Sequence, residues 1–204
     1  NISADRRQRK QMRKIENTAN PSQCVATEPR IVSRHGVSLG FLRHVVQWSM
    51  ALEYPRTTSG GREVQSFRDL TCEDIVSILV LPRTHSDQQQ GSCSYTDLLL
   101  RKRQAYDSRP AAGTATVFVA YCRRYKFVDF AAALSDFSDK YLWIDMWSAD
   151  QTELIDEPID AEWLAAFEKT VKEIGHTVVM FDRWENATPL SRLWCLYELA
   201  ITAS

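Results

Sequence analysis

The sequence predicts an α/β fold: a parallel sheet with helices on both faces, preceded by a helical extension and a basic arm. Three observations carry this. Residues 115–204 read strand, helix, strand, helix, strand, helix; the three strands are almost wholly apolar; and the stretch before residue 110 shows helical periodicity only. Apolar strands alternating with amphipathic helices imply right-handed crossovers and strands buried on both faces. With 44% hydrophobic and 25% charged residues, the chain can bury one substantial core.

Residues 1–32 open with the basic run "ADRRQRKQMRK" and lack hydrophobic periodicity. They read as a flexible arm, either solvated or in contact with acidic protein or nucleic acid. Residues 33–110 form the helical extension. In "SLGFLRHVVQWSMALE", Phe41, Leu42, Val45, Trp48 and Leu52 fall on one helical stripe. "YPRTTSGGRE", with Pro55 and Gly60-Gly61, stops it and marks a linker near residues 55–62. In "LTCEDIVSILVLP", Thr71 is a candidate cap, Glu73 and Asp74 suit the first turn, and Pro82 ends the run. "SYTDLLLRKRQAY" makes another helix before the "SRPAAGTA" break.

The α/β domain then spans residues 111–204. "TVFVAYC" is the first strand, and Phe127, Phe130, Ala131, Leu134 and Phe137 follow at helical spacing. "YLWIDMW" is the second strand. In "DAEWLAAFEKTVKEIG", Asp160 caps the helix, Trp163, Phe167, Val171 and Ile174 make its face, and Gly175 stops it. "HTVVMF" is the third strand. "TPLSRLWCLYELAI" opens with Thr188 as N-cap and Pro189 at the first helical position.

Ligands of such sheets bind beyond the carboxyl ends of the strands, here "CRRYK", "MWSADQ" and "DRWENATPLS". Glycine-rich phosphate loops and a GxSxG elbow are missing from the sequence. His176 lies at the amino end of its strand, and Cys195 has no histidine near it in sequence, so both read as structural. Asp145, Asp150, Asp156, Glu157 and Asp160 carry oxygen ligands, but their spacing fits no regular cation cage. A solvated acidic loop with one helix cap is expected there, and no metal. Glu198, four residues after Trp194, shares a helix face with the indole. A carboxylate beside an indole in a cleft can be desolvated and can stabilise positive charge developing on a sugar. On spacing alone an ordinary helix acid beside a core tryptophan is the favoured reading.

Taken in order, these strands and helices, and above all "SRLWCLYEL", resemble the first three strand-helix units of the Toll/interleukin-1 receptor (TIR) domain family. The likeness is greatest to plant TIR domains, with S-x-W-C-L-D-E-L in the third helix, and to TIR-like domains of protists. It covers roughly residues 115–204. The resemblance implies a flavodoxin-like doubly wound sheet that stops before the family's last two strands, so that either the chain is a fragment or the amino-terminal helices replace the missing layer. It also implies one of two functions: assembly through TIR-TIR contacts in signalling or defence, or cleavage of NAD⁺ at the nicotinamide-ribose bond.

In the second case NAD⁺ is substrate rather than cofactor, and Glu198 is the catalytic residue by motif position. Trp194 and Trp147 then face the substrate, Arg123 or Arg124 contacts phosphate, and Ser191 lies beside the site, displaced about 100° by one extra residue before the tryptophan. Residues 147–159 match the family's mobile loop that gates the site. A nucleoside-processing relative of the same fold is a third reading.

Net charge is −1, so nothing in the overall charge marks nucleic acid or acidic membrane as partner. Self-association or other complex subunits are the expected protein partners. Five cysteines without a CxxC pair fit a reducing compartment, and no apolar run approaches the roughly 18 residues of a membrane span. A cytoplasmic location is the expectation, with an organellar one after loss of a leader as the alternative.

Overall fold

The computed structural model describes residues 32–86, 93–152, 159–181 and 188–203. The basic arm up to residue 31 and the acids Asp156 and Glu157 therefore lie outside the described residues. The chain folds around a five-stranded sheet with helices on both faces. One side of it is the parallel trio anticipated from the apolar runs: β7 (Val117–Ala120) lies between β8 (Tyr141–Trp143) and β9 (Thr177–Val179), and β9 is an edge strand.

Alternation along β7 divides the core in two. Val117 and Val119 join one cluster, while Phe118 and Ala120 join the other. The first cluster is covered by α1 (Leu39–Met50), by the segment beginning at α2 (Cys72–Ile75), by α4 (Tyr95–Arg101) and by α5 (Phe127–Ala133). On the opposite face α7 (Ala161–Ile174) and α8 (Leu193–Ala203) pack Trp163, Phe167, Val171 and Ile201 against Phe118 and Trp143.

The sheet is mixed rather than purely parallel. β1 (His35–Ser38) runs antiparallel between β8 and β6 (Ala112–Thr114), the latter following a short hairpin of β4 (Ala105–Tyr106) and β5 (Arg109–Pro110). The amino-terminal segment thus enters the same sheet as the α/β units. It enlarges the sheet beyond β8, on the side away from β9, so it does not stand in for strands on the far side of β9. Gly36 permits the join, since a Cβ there would lie 2.5 Å from the Leu142 backbone.

Residues 55–62, read above as a linker, fall in a short hairpin of β2 (Arg56–Thr57) and β3 (Glu63–Val64). Arg62 ties this hairpin to Asp74 by an ion pair. Thr71 and Asp74 form a reciprocal capping box at the start of α2. Pro82 does not end that run. The helix widens into a π turn over Val76–Val80 and resumes as α3 (Leu81–Ser86), the widened turn accommodating a ring that would clash with the preceding turn of a regular helix.

The caps expected from sequence hold elsewhere: the Asp160 carboxylate accepts from Trp163 N at 2.8 Å, and Gly175 closes α7 at φ +69°. Thr188 and Pro189 belong to a separate 3₁₀ turn, Thr188–Ser191, so α8 starts at Leu193, later than the Pro189 position suggests. No helix of the described residues is long and apolar enough to cross a membrane.

Candidate functional site

The candidate site is the carboxyl edge of β7 and β8 where α8 crosses it. α8 presents Cys195, Glu198 and Ile201 inward at three-residue spacing, and all three are buried. The Cys195 thiol contacts the Tyr121 carbonyl at 3.5 Å, which sets the helix against the end of β7. Trp194 anchors the other flank on α7, with ring centroids 5.2 Å from Phe167 and 5.8 Å from Trp163. That packing is why an acid one turn later is drawn inward.

Glu198 is only 3% exposed, and its Oε2 has no hydrogen-bond partner among the described residues. No cation of the described residues stands within salt-bridge distance of it. Burial first, and then the negative charge of Asp145, push its carboxyl from 4.5 up to about 9. A contact with Trp194 and the charges of Arg123 and Arg192 pull the other way without offsetting burial. At neutral pH the group is a carboxylic acid, and a positive charge brought beside it favours release of its proton. Burial, and then the Glu198 charge, also push the Cys195 thiol up to about 11, so it is no thiolate nucleophile.

Beside Glu198 lies a closed polar network. Asp145 opens α6 (Asp145–Ser148) directly after β8. Its Oδ1 accepts from the Tyr121 hydroxyl at 2.6 Å, and its Oδ2 accepts from Arg123 Nε at 3.0 Å and Nη2 at 2.7 Å. Arg123 Nη2 also donates to Gln151 Oε1 at 2.8 Å, while Gln151 Nε2 donates to the Asp145 carbonyl at 2.7 Å. Burial works against the charge on Arg123, but Asp145 and Tyr121 hold the guanidinium protonated, above its ordinary range. The extension fixes the loop from outside: Glu73 N donates to the Arg123 carbonyl at 3.0 Å and Cys72 N to the Tyr125 carbonyl at 2.9 Å.

The structure brings some of the anticipated residues together and separates others. Arg123 and Glu198 share one electrostatic neighbourhood, although Arg123 is committed to Asp145. Trp194 adjoins Glu198 but spends much of its ring on α7. Trp147 is elsewhere: fully buried in the first core cluster, its ring centroid lies 5.0 Å from Phe41 and 5.3 Å from Tyr95. The short helix α6 turns it inward, so it offers no surface to a substrate. Ser191 is exposed and donates to the Thr188 carbonyl at 2.8 Å, serving its own turn. Arg124 is exposed and takes no part in the network. His176 is exposed at the amino end of β9, far from this edge.

Tyr121, Asp145, Gln151 and Arg192 were not legible as one group. Arg192 Nη1 donates to Cys122 Sγ at 3.2 Å, beside the same edge. The available signal was positional: an acid directly after an apolar strand, opposite an arginine directly after its neighbour. No cluster of three or more metal-ligating side chains occurs among the described residues. Cys72, Cys122 and Cys195 are free thiols, and these three and Cys93 are buried.

Site and fold together define an α/β protein with an uncompensated buried carboxyl group at the carboxyl edge of its parallel strands. Comparison with family models, with curated proteins and with solved structures finds no match.

Proposed function

We propose that the chain is a TIR-like module that cleaves NAD⁺ at the nicotinamide-ribose bond, with Glu198 as the catalytic residue. The observation that supports it most is the state of Glu198: buried, with an oxygen lacking any partner among the described residues, at the strand edge where doubly wound folds bind ligands. The order β8-β7-β9, the first strand between the second and third, is also what a flavodoxin-like winding requires.

An acid with no counter-ion among the described residues is matched to a ligand that carries or develops positive charge. The nicotinamide ring is cationic, and loss of nicotinamide leaves an oxocarbenium-like ribosyl cation. As that charge approaches, Glu198 releases its proton to solvent. The ribose C1′–N bond then breaks with its electron pair leaving on neutral nicotinamide, and the carboxylate stabilises the ribosyl cation until water adds at C1′ and the proton so released returns to Glu198. Arg123, held by Asp145 and Gln151, keeps the edge of the site rigid. Trp194 supplies an aromatic wall supported from behind by Phe167.

The test is nicotinamide release from NAD⁺ at high protein concentration, wild type against Glu198→Ala. Release by the wild type, lost in the variant without loss of fold, is expected. A folded, assembled wild type with no turnover would refute the reading.

A second reading, a docking module in a larger assembly, is favoured by one observation. The outer face of α8 and the turn before it expose Leu190, Leu193 and Leu196, with Leu193 at 85%. Such a leucine face is characteristic of a surface covered by protein. The two readings are compatible if assembly completes the site.

A further inference from the structure

We propose that the Asp145–Arg123 pair is the positioning device of this site: Asp145 holds the guanidinium on itself and Gln151, and so withholds from Glu198 the cation that would otherwise neutralise it. Among the described residues Arg123 is well placed to serve as that counter-ion. It follows β7 at the same strand edge, and its charge reaches Glu198. Yet its Nε and Nη2 bonds all go to Asp145 and Gln151, and its Nη1 faces Glu73 at 3.8 Å. Asp145 is itself satisfied on both oxygens, by Tyr121 and by Arg123, so the pair is closed on itself.

The groups bearing on Glu198 can be named from each packed element. Asp145 comes from α6, Arg123 and Cys122 from the loop after β7, and Trp194 and Cys195 from α8, with Arg192 immediately before it. Arg192 spends its Nη1 donor on a thiol. Among the described residues Glu198 is thereby the member of the cluster left without a counter-charge. Asp145 and Arg123 act through Glu198 and touch no substrate, so they are positioning residues. The assignment rests on Glu198 being the acid of the site, and not on which cationic ligand the site takes.

The two ends of the pair make opposite predictions, which a merely structural contact would not. Removing the Asp145 charge removes repulsion and frees Arg123 to approach, so Glu198 ionises more readily. Removing the Arg123 charge takes away a cation that favours the Glu198 carboxylate and leaves Asp145 unopposed beside it, so Glu198 ionises less readily.

The experiment is a ¹³C carboxyl NMR titration of the full chain labelled at glutamate, with the Glu198 resonance assigned by its loss in Glu198→Gln. Asp145→Asn is expected to move the Glu198 midpoint down by roughly one pH unit or more, and Arg123→Gln to move it up by a similar amount. Asp145→Ser and Arg123→Met delete the same charges with different steric demands, so each sign is read from the member that melts as a folded protein. Shifts in the same direction, or none, overturn the proposal. Failure of NAD⁺ turnover would refute the proposed reaction while leaving this titration readable.

Discussion

Glu198→Gln isolates the buried acid, and its effect can be worked out from the structure. In the folded chain the carboxyl is pushed up to about 9, whereas unfolding returns it to 4.5. Between those values the folded state holds a proton that the unfolded state has released. Stability contributed by this group is therefore fully present below 4.5 and is lost as pH rises towards 9. Each pH unit in that window costs about 1.4 kcal/mol, so the step from pH 5 to pH 8 costs about 4 kcal/mol. Glutamine fills nearly the same volume and has no proton to release.

Urea unfolding of both proteins at pH 5 and pH 8 reads the effect as a difference of differences. Other titrating groups are common to the two proteins and cancel. The unfolding free energy of the glutamine variant should gain about 4 kcal/mol on the wild type across this range. Parallel pH dependences would refute the claim that Glu198 is buried without a counter-charge.

Three further outcomes follow from the packing. Trp194→Ala removes a ring seated on Phe167, Trp163 and Tyr197 and should cost about 3 kcal/mol, read by chemical denaturation. Gly36→Ala forces a Cβ to within 2.5 Å of the Leu142 backbone and should part β1 from β8. A loss of about 2 kcal/mol or more in the unfolding free energy is expected, with hydrogen exchange rising first along β1. Leu193→Lys alters a side chain that is 85% exposed, so the melting temperature should stay within about 2 °C of wild type. If α8 is an assembly face, sedimentation should show the self-association of the wild type lost in this variant.

The parts of the fold legible in the sequence are those specified by local pattern. β7 and β8 are apolar because they are central and buried, β9 is a half-buried edge strand legible from its β-branched run, and α7 carries its own cap and stop in Asp160 and Gly175. β1 and β6 were not legible. They are four and three residues long, each contains glycine, and neither alternates, because close backbone approach rather than side-chain pattern specifies them. Pro82 misled for a related reason: the π turn before it is a tertiary adjustment that no propensity encodes.

In the site, the motif found Glu198 but could not find what surrounds it. Asp145 read as an acid of the loop, yet its partners Tyr121 and Arg123 are 24 and 22 residues away and meet it only because β7 and β8 are parallel neighbours. Trp147 lies one strand length from the edge in sequence, but a single helical turn carries it into the opposite core.

The central claim, that a buried and uncompensated Glu198 ionises to drive glycosidic cleavage of NAD⁺, is tested most directly by the pH profile of kcat/KM for nicotinamide release. This quantity reports ionisations of the free enzyme. It should climb roughly tenfold per pH unit from neutrality and level off near about 9, and Glu198→Gln should abolish it. A wild-type profile flat across that range, or turnover that survives the glutamine substitution, would contradict the account.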